Sequence, residues 1–156
     1  MSAPYPWLGT AWRTFKRSHI SGTLSHAYLI SGPSGLGKQE FSEFLAATIL
    51  CEGIESVGRP CKNCRGCNLF DGNNHPDLKR ISPASGSKNI VVDQIRELTD
   101  FYRLKSHYLG HKIGLIHAAD SMNTAAANAV LKTLEEPPPF ALLVLVSDRP
   151  GLLPAT

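Results

Sequence analysis

The chain has little of what a membrane or secreted protein needs. No apolar run approaches the roughly 18 consecutive residues of a membrane-spanning helix, and the opening residues, MSAPYPWLGTAW, hold no basic leader followed by an apolar core. These two absences predict a cytoplasmic protein. There is no internal repeat and no low-complexity tract, which excludes a solenoid and a disordered linker. Excess charge is scarce as well: 16 Lys and Arg against 13 Asp and Glu leave +3. That balance permits an encounter with nucleic acid but lacks the concentrated basic face of a strong binder. Cysteine is confined to four positions, all between 51 and 67. What remains is 156 residues at 42% hydrophobic, enough for one domain over 1–156 with a real core.

The most legible stretch is Lys112 to Ser147. Lys112 to Ala118 (KIGLIHA) is mostly apolar and suits a buried parallel strand. Asp120 to Asn123 form a turn, with Asn123 placed as a helix N-cap. From Thr124 the sequence is helix-forming: Ala126, Val130 and Leu134 share one face, Asn128 and Lys132 another. Pro137, Pro138 and Pro139 end that helix, because proline lacks an N–H and disfavours helical geometry before it. Phe140 to Val146 (FALLVLV) is too uniformly apolar to face water on either side. Two buried strands joined by a helix make a parallel α/β unit.

Upstream, Trp7 to Ser18 predicts a helix, with Trp7, Leu8, Ala11, Trp12 and Phe15 at three- and four-residue spacing. It reads as a packing helix; its aromatics and the adjacent Arg13, Lys16 and Arg17 leave stacking on nucleic acid as the alternative. Ser25 to Ser31 predicts a buried strand, followed by GPSGLGK, Gly32 to Lys38, and a helix through Leu50. Strand, glycine-rich loop, lysine and helix form the context of a phosphate-binding loop. Gly32, Gly35 and Gly37 would let backbone N–H groups point at an anion, the helix N-terminus adds partial positive charge, and Lys38 would reach the outer phosphates. The motif departs at the next residue. A Ser or Thr would hold Mg²⁺ through its hydroxyl, and Gln39 stands there instead.

The four cysteines, Cys51, Cys61, Cys64 and Cys67, are spaced C-x9-C-x2-C-x2-C. Four thiolates in one short segment suit a closed tetrahedral Zn²⁺ site of structural type. The excursion around them is rich in Gly, Pro, Lys and Arg, with Ile54 and Val57 as its main large apolar residues. It cannot order itself by burial, and metal binding would supply the missing free energy. A disulfide is the rival reading, disfavoured in a reducing cytoplasm. His75 lies close in sequence, but four cysteines leave it no coordination position. Beyond it, Leu78 to Ile81 predicts a short strand, Ser82 to Asn89 a loop, and Asp93 the cap of a helix carrying Ile95, Leu98 and Tyr102. His75 with Asp77 has no apparent nucleophile nearby in sequence, which argues against catalysis there.

NAVLKTLEEPPP after an apolar strand resembles the clamp-loader branch of the AAA+ proteins, and AADSMNTAAANAVLKTLEEPP most resembles its delta-prime family. The HPD segment, His75–Pro76–Asp77, and a zinc module hung from the helix after the phosphate loop agree with that resemblance. It implies a three-layer α/β AAA+ core with a parallel sheet and a zinc-binding insertion at 51–67. It also implies lid and collar domains, which these residues do not contain. In active relatives the strand equivalent to Lys112–Ala118 ends in Asp-Glu, which orients Mg²⁺ and activates water. Here those positions are His117 and Ala118; Asp120, two residues further, replaces neither. With Gln39, three positions that the chemistry needs are altered together.

The resemblance therefore implies a non-hydrolysing, stator-like subunit of a five-membered ring that loads a sliding clamp on primed DNA. Its partners would be gamma/tau and delta subunits, within the DNA polymerase III holoenzyme. Zn²⁺ is the expected structural cofactor. ATP with Mg²⁺ stays open, since Lys38 and the glycines favour binding and the altered positions oppose it. Ser147 and Asp148 fall where the family places a polar sensor near the outer phosphate. Lys132 is a candidate DNA phosphate contact, with an ion pair to Glu136 as its alternative. Two other classes stay open: an active gamma/tau-type ATPase and a zinc-dependent nucleic-acid-binding module.

Overall fold

The computed structural model describes residues 5–53, 58–108 and 110–153. The expected stretches that reach 54–57 or 154–156 therefore lie partly outside the described residues, including Ile54 and Val57 of the cysteine excursion. The elements run α1 (Gly9–Ile20), β1 (Ala27–Ser31), α2 (Lys38–Ile49), α3 (Arg65–Asp71), β2 (Leu78–Ile81), α4 (Val92–Arg103), β3 (Lys112–Ile116), α5 (Thr124–Glu135) and β4 (Ala141–Ser147). Short 3₁₀ turns occupy Pro6–Leu8, Ala119–Ser121 and Pro150–Leu152. Among the described residues no helix is long and apolar enough to cross a membrane.

The four strands form one parallel sheet in the order β1-β4-β3-β2. The two strands read as buried on both faces, β3 and β4, are the central pair, and every residue of each is buried. Side chains alternate along them as the pleat requires. Ile113, Leu115, Leu142 and Val144 pack with Ala46, Ala47 and Leu50 on the α2 face. Ile116, Leu143 and Leu145 pack with Ile95, Leu98 and Tyr102 of α4 and Ala126 and Val130 of α5 on the other. Helices on both faces of a parallel sheet give the three-layer α/β core. Gly114, at the centre of β3, is where α4 comes closest: a Cβ there would lie 2.5 Å from the Tyr102 hydroxyl and 2.7 Å from Leu98.

α1 lies over α2 rather than over solvent. Phe15 joins Phe41 and Leu45 in a third apolar cluster, and Trp12 meets Phe44 edge-on at 4.8 Å. The packing reading of this helix therefore holds. α5 starts at Asn123 as expected, with the Asn123 Oδ1 accepting the Ala126 N–H at 2.8 Å.

Three expectations are corrected. β1 is not a buried strand: among the described residues it sits at the sheet edge beside β4 alone, and Leu29 is 50% exposed. A five-residue run cannot reveal its place in the strand order. Phe140 does not belong to β4; it precedes the strand at φ 61°, mostly exposed, where the chain turns out of the proline run. Asp93 does not cap α4. Val91 is the cap residue, its N–H donates to the Gln94 side chain at 3.1 Å, and Asp93 pairs with Arg96 in the first turn.

Candidate phosphate loop and four-cysteine centre

α2 carries a candidate site at each end. At its N-terminus the loop after β1 turns through Gly35 (φ 81°) and Gly37 (φ 74°). Such left-handed conformations favour glycine, and a Cβ at Gly37 would also run into the Tyr5 ring. The N-terminal segment is fastened over this loop, because Trp7 Nε1 donates to the Leu36 carbonyl at 3.0 Å and Tyr5 stacks on Trp7. A cavity of about 380 Å³ lies between them, lined in part by Gly35, Gly37, Lys38, Gln39, Ala118 and Asp148.

Lys38 is buried, and its Nζ is already held twice. It donates to the Pro33 carbonyl at 2.6 Å and pairs with Asp148 Oδ1 at 2.7 Å. Gln39 is exposed at the cavity and, among the described residues, its side chain has no hydrogen-bond partner. Ala118 also lines the cavity, at φ 55°, and brings no polar atom to it. Gly32 lies at the end of β1, its N–H donating to the Ser147 carbonyl at 3.3 Å, outside the cavity lining.

His117 is turned away from the cavity toward α2. Its Nε2 lies 3.3 Å from Ser42 Oγ and 3.6 Å from Glu43 Oε1, and Glu43 is bound by Arg80 through a forked pair at 2.8 Å. Ser42 spends its only proton on the Gln39 carbonyl at 2.7 Å, so the proton between Ser42 and His117 sits on Nε2. Burial lowers the His117 pKa against the opposing pull of Glu43. The imidazole is thus a neutral strut between β3 and α2. Asp120 faces the end of β4, accepting from the Ser147 hydroxyl, the Asp148 N–H and Arg149 Nε. Burial alone would raise the Asp120 carboxyl, and these donors hold it below the usual range.

At the other end of α2, Cys51 follows the helix and meets Cys61, Cys64 and Cys67. All four Sγ atoms lie within 4.8 Å of one another, with Cys61 to Cys67 and Cys51 to Cys64 each 4.0 Å apart. A disulfide would need about 2.05 Å. Tetrahedral zinc with bonds near 2.3 Å would set its sulfurs about 3.8 Å apart, so the set fits a four-thiolate metal site. Backbone N–H groups of Glu52, Gly53, Cys61, Cys64 and Cys67 donate to the sulfurs at 3.3–3.4 Å. Those donors would disperse the charge of thiolates on a bound metal. N–H groups of Asn63 and Cys64 pull the Cys61 thiol down to about 6, while burial pushes Cys67 up. Cys64 also caps α3, and Phe70 of α3 seats the module in the α2-face core.

Two placements were out of reach of the sequence. Asp77 is buried beneath the returning chain, accepting from the Ser106 hydroxyl and the His107 and Tyr108 N–H groups and facing Lys112 at 3.6 Å. Burial would raise its carboxyl; the His107 N–H, the Ser106 hydroxyl and Lys112 lower it below the ordinary value. His75 is buried beside it, with Nδ1 accepting the Asp77 N–H, so the HPD segment is an anchor. The ion pair of Asp148 with Lys38 was the other: the resemblance put Asp148 near the outer phosphate, but nothing along the chain paired its carboxylate with the loop lysine. Lys132 is exposed on α5, across the sheet from α2. Among the described residues it makes no ion pair with Glu136.

Residues 8–156 match the family model described as DNA polymerase III, delta subunit. A DNA polymerase III subunit delta' of Pseudomonas aeruginosa is 39% identical over 98% of this chain and 45% of its own length. Its Escherichia coli counterpart is 34% identical over 97% of this chain and 45% of its own. A DNA polymerase III subunit tau of Bacillus subtilis is 33% identical over 92% of this chain and 25% of its own. The chain thus spans less than half the length of these curated relatives. A crystal structure of a DNA polymerase III gamma subunit-related protein from Thermotoga maritima superposes with a TM-score of 0.59 at 23% identity. That match covers 92% of this chain and 41% of that one and bears on the fold alone, the three-layer α/β core with a parallel sheet.

Proposed function

This chain belongs to the family described as DNA polymerase III, delta subunit, and on that premise we propose that it works in DNA replication as a non-hydrolysing, stator-like delta-prime subunit of the clamp loader. In that role it would join gamma/tau and delta subunits in the cytoplasm and help place the sliding clamp on primed DNA. It would do so as a rigid member of the ring, with no turnover of its own.

The observation that carries the reading is the state of the loop beside Lys38. Hydrolysis of a nucleoside triphosphate needs a metal ligand after the loop lysine and a carboxylate to orient water. Around this cavity those places hold Gln39 and Ala118, while His117 is committed to Ser42 and Glu43. An imidazole is a poor ligand for Mg²⁺ in any case. Gly32, Gly35, Gly37 and Lys38 keep the shape of a nucleotide site without its catalytic set.

The structural cofactor in this reading is one Zn²⁺ held by Cys51, Cys61, Cys64 and Cys67. With four protein ligands the ion has no open position, so it would order the 51–67 insertion and perform no chemistry. Lys132 would contact DNA phosphate in the assembled ring, its ammonium being exposed and clear of Glu136.

The test is ATP turnover by the purified full chain, together with clamp loading on primed DNA by an assembly rebuilt with gamma/tau and delta. Turnover at background and loading that fails when the subunit is omitted are expected. Turnover that disappears in Lys38→Ala would sink the non-hydrolysing reading, and loading that proceeds without the subunit would sink the clamp-loader role.

A further inference from the structure

The loop that lacks hydrolytic groups is also filled from within. Lys38 is only 6% exposed, and its ammonium is shared between the Pro33 carbonyl and the Asp148 carboxylate. Asp148 directly follows β4 and is 48% exposed, so it reaches the cavity from the solvent side. Its backbone is fixed in that place: the Asp148 N–H donates to Asp120 Oδ1 at 3.2 Å, and Asp120 is itself held by Ser147 and Arg149.

The rest of the cavity is arranged for an anion. Gly35 and Gly37 turn the backbone around it, the N-terminus of α2 opens onto it, and Lys38 supplies the full positive charge. A phosphate oxygen would need the same Nζ that Asp148 holds. It would also have to approach a carboxylate of like charge in a partly water-excluded place. One side chain therefore competes for the cation and repels the ligand.

The geometry points to Asp148 as a built-in competitor for phosphate, a residue that closes the anion site of the Gly32–Lys38 loop to polyphosphate chains. The inference deepens the non-hydrolysing reading of that loop and rests on it. It separates two properties: the lack of hydrolytic groups at positions 39, 117 and 118, held by Gln39, His117 and Ala118, denies turnover, whereas Asp148 denies binding. Removing the negative charge at 148 restores an anion site without restoring hydrolysis.

The experiment is calorimetric titration of the zinc-loaded full chain with inorganic tripolyphosphate and, separately, with ATP, in wild type, Asp148→Asn, Asp148→Glu and the double variant Lys38→Met/Asp148→Asn. Asp148→Asn is expected to bind both probes about tenfold more tightly than wild type, the scale of one charge-assisted hydrogen bond released to the ligand. Asp148→Glu, which keeps a carboxylate within reach of Lys38, stays within about threefold of wild type on the same scale. The double variant loses the gain. Binding by Asp148→Asn no tighter than wild type overturns the inference. So does a gain that survives in the double variant, or one confined to ATP, because phosphate at Lys38 would then not be what Asp148 governs. If Asp148→Asn does not fold, Asp148→Ser carries the same test. ATP turnover is followed in parallel: turnover by wild type would defeat the non-hydrolysing reading, while the tripolyphosphate titrations still decide the role of Asp148.

Discussion

At the N-terminal end of α2, a loop shaped for an anion holds one of the chain's own carboxylates. At the C-terminal end, four thiols converge, with backbone N–H groups of the described residues donating to them. Lys38 has its charge answered by Asp148, and Ser42, Glu43, Arg80 and His117 answer one another behind it. The Gly32–Lys38 loop can therefore persist without a ligand. Five N–H groups and 4.0 Å sulfur contacts orient the sulfurs, and neither carries the full positive charge that thiolates would need. A site whose polar groups are satisfied within the chain can lose its ligand and keep its shape. One whose groups are gathered but unsatisfied depends on the ligand.

The largest expected effect comes from breaking the cysteine end. Cys64→Ser, or removal of metal by a chelator, should take zinc from about one per chain to none. The loss of stability should be on the order of 5 kcal/mol or more, because zinc binds small structural sites with about 10–16 kcal/mol. Metal analysis with thermal unfolding checks it. The disturbance should spread through α3, since Phe70 ties the module to Ala46, Ala47 and Leu50. Amide exchange at 61–71 that stays as slow without metal as with it would remove the contrast between the two ends.

Next in size is Asp77, where the chain returns from the cysteine module into the sheet. Asp77→Ala strands Lys112, which is buried and, among the described residues, is otherwise placed over the Phe101 ring, so a loss of about 3–5 kcal/mol is expected in denaturant unfolding. The same carboxylate sets an acid limit. Its folded pKa lies below its ordinary value, so its contribution is whole above about pH 4 and is lost as pH falls through the folded pKa. Stability measured between pH 6 and pH 2, as a rough span, should fall less steeply in the variant.

The phosphate-loop end should respond weakly. Lys38→Met removes an ion pair whose acidic partner is half exposed, and a cost of about 1 kcal/mol or less is expected. A much larger loss would mean that the loop, like the cysteine centre, leans on that charge. Smallest is the effect of His117. Its pKa is lowered by burial, so the unfolded chain takes up the proton first, and stability should decline as pH falls below about 6.5. His117→Asn should flatten that slope, read from unfolding midpoints between about pH 7 and pH 5.

Much of the architecture was legible because it rests on local signals. Asn123 and the three prolines bound α5, the 3.6 period of Ala126 and Val130 shows its inner face, and the uniform apolarity of β3 and β4 marks central strands. The cysteine spacing singled out the four thiols that the fold brings within 4.8 Å of one another. Less legible were the places where a residue's role depends on what lies across from it. Leu29 belongs to a run as apolar as its neighbours and is exposed because β1 has β4 on one side alone. His117 and Ala118 are adjacent, yet one faces α2 and the other the cavity, because the chain leaves β3 through a left-handed residue at Ala118.

From the amino-acid sequence came the strands and helices other than α3 (Arg65–Asp71), the burial of β3 and β4, and the four-thiol set; the reading of Gln39, His117 and Ala118 as altered catalytic positions came from the family resemblance. The elements, their burial and the thiol set follow from periodicity, spacing and side-chain chemistry, which are properties of neighbours along the chain. The tertiary structure alone decided that Asp148 meets Lys38, that Asp77 pins the loop at Ser106 to Tyr108, and that His117 braces Glu43. Each of those contacts joins residues far apart in the sequence. A polar side chain chooses its partner only when packing has removed the water that would otherwise satisfy it.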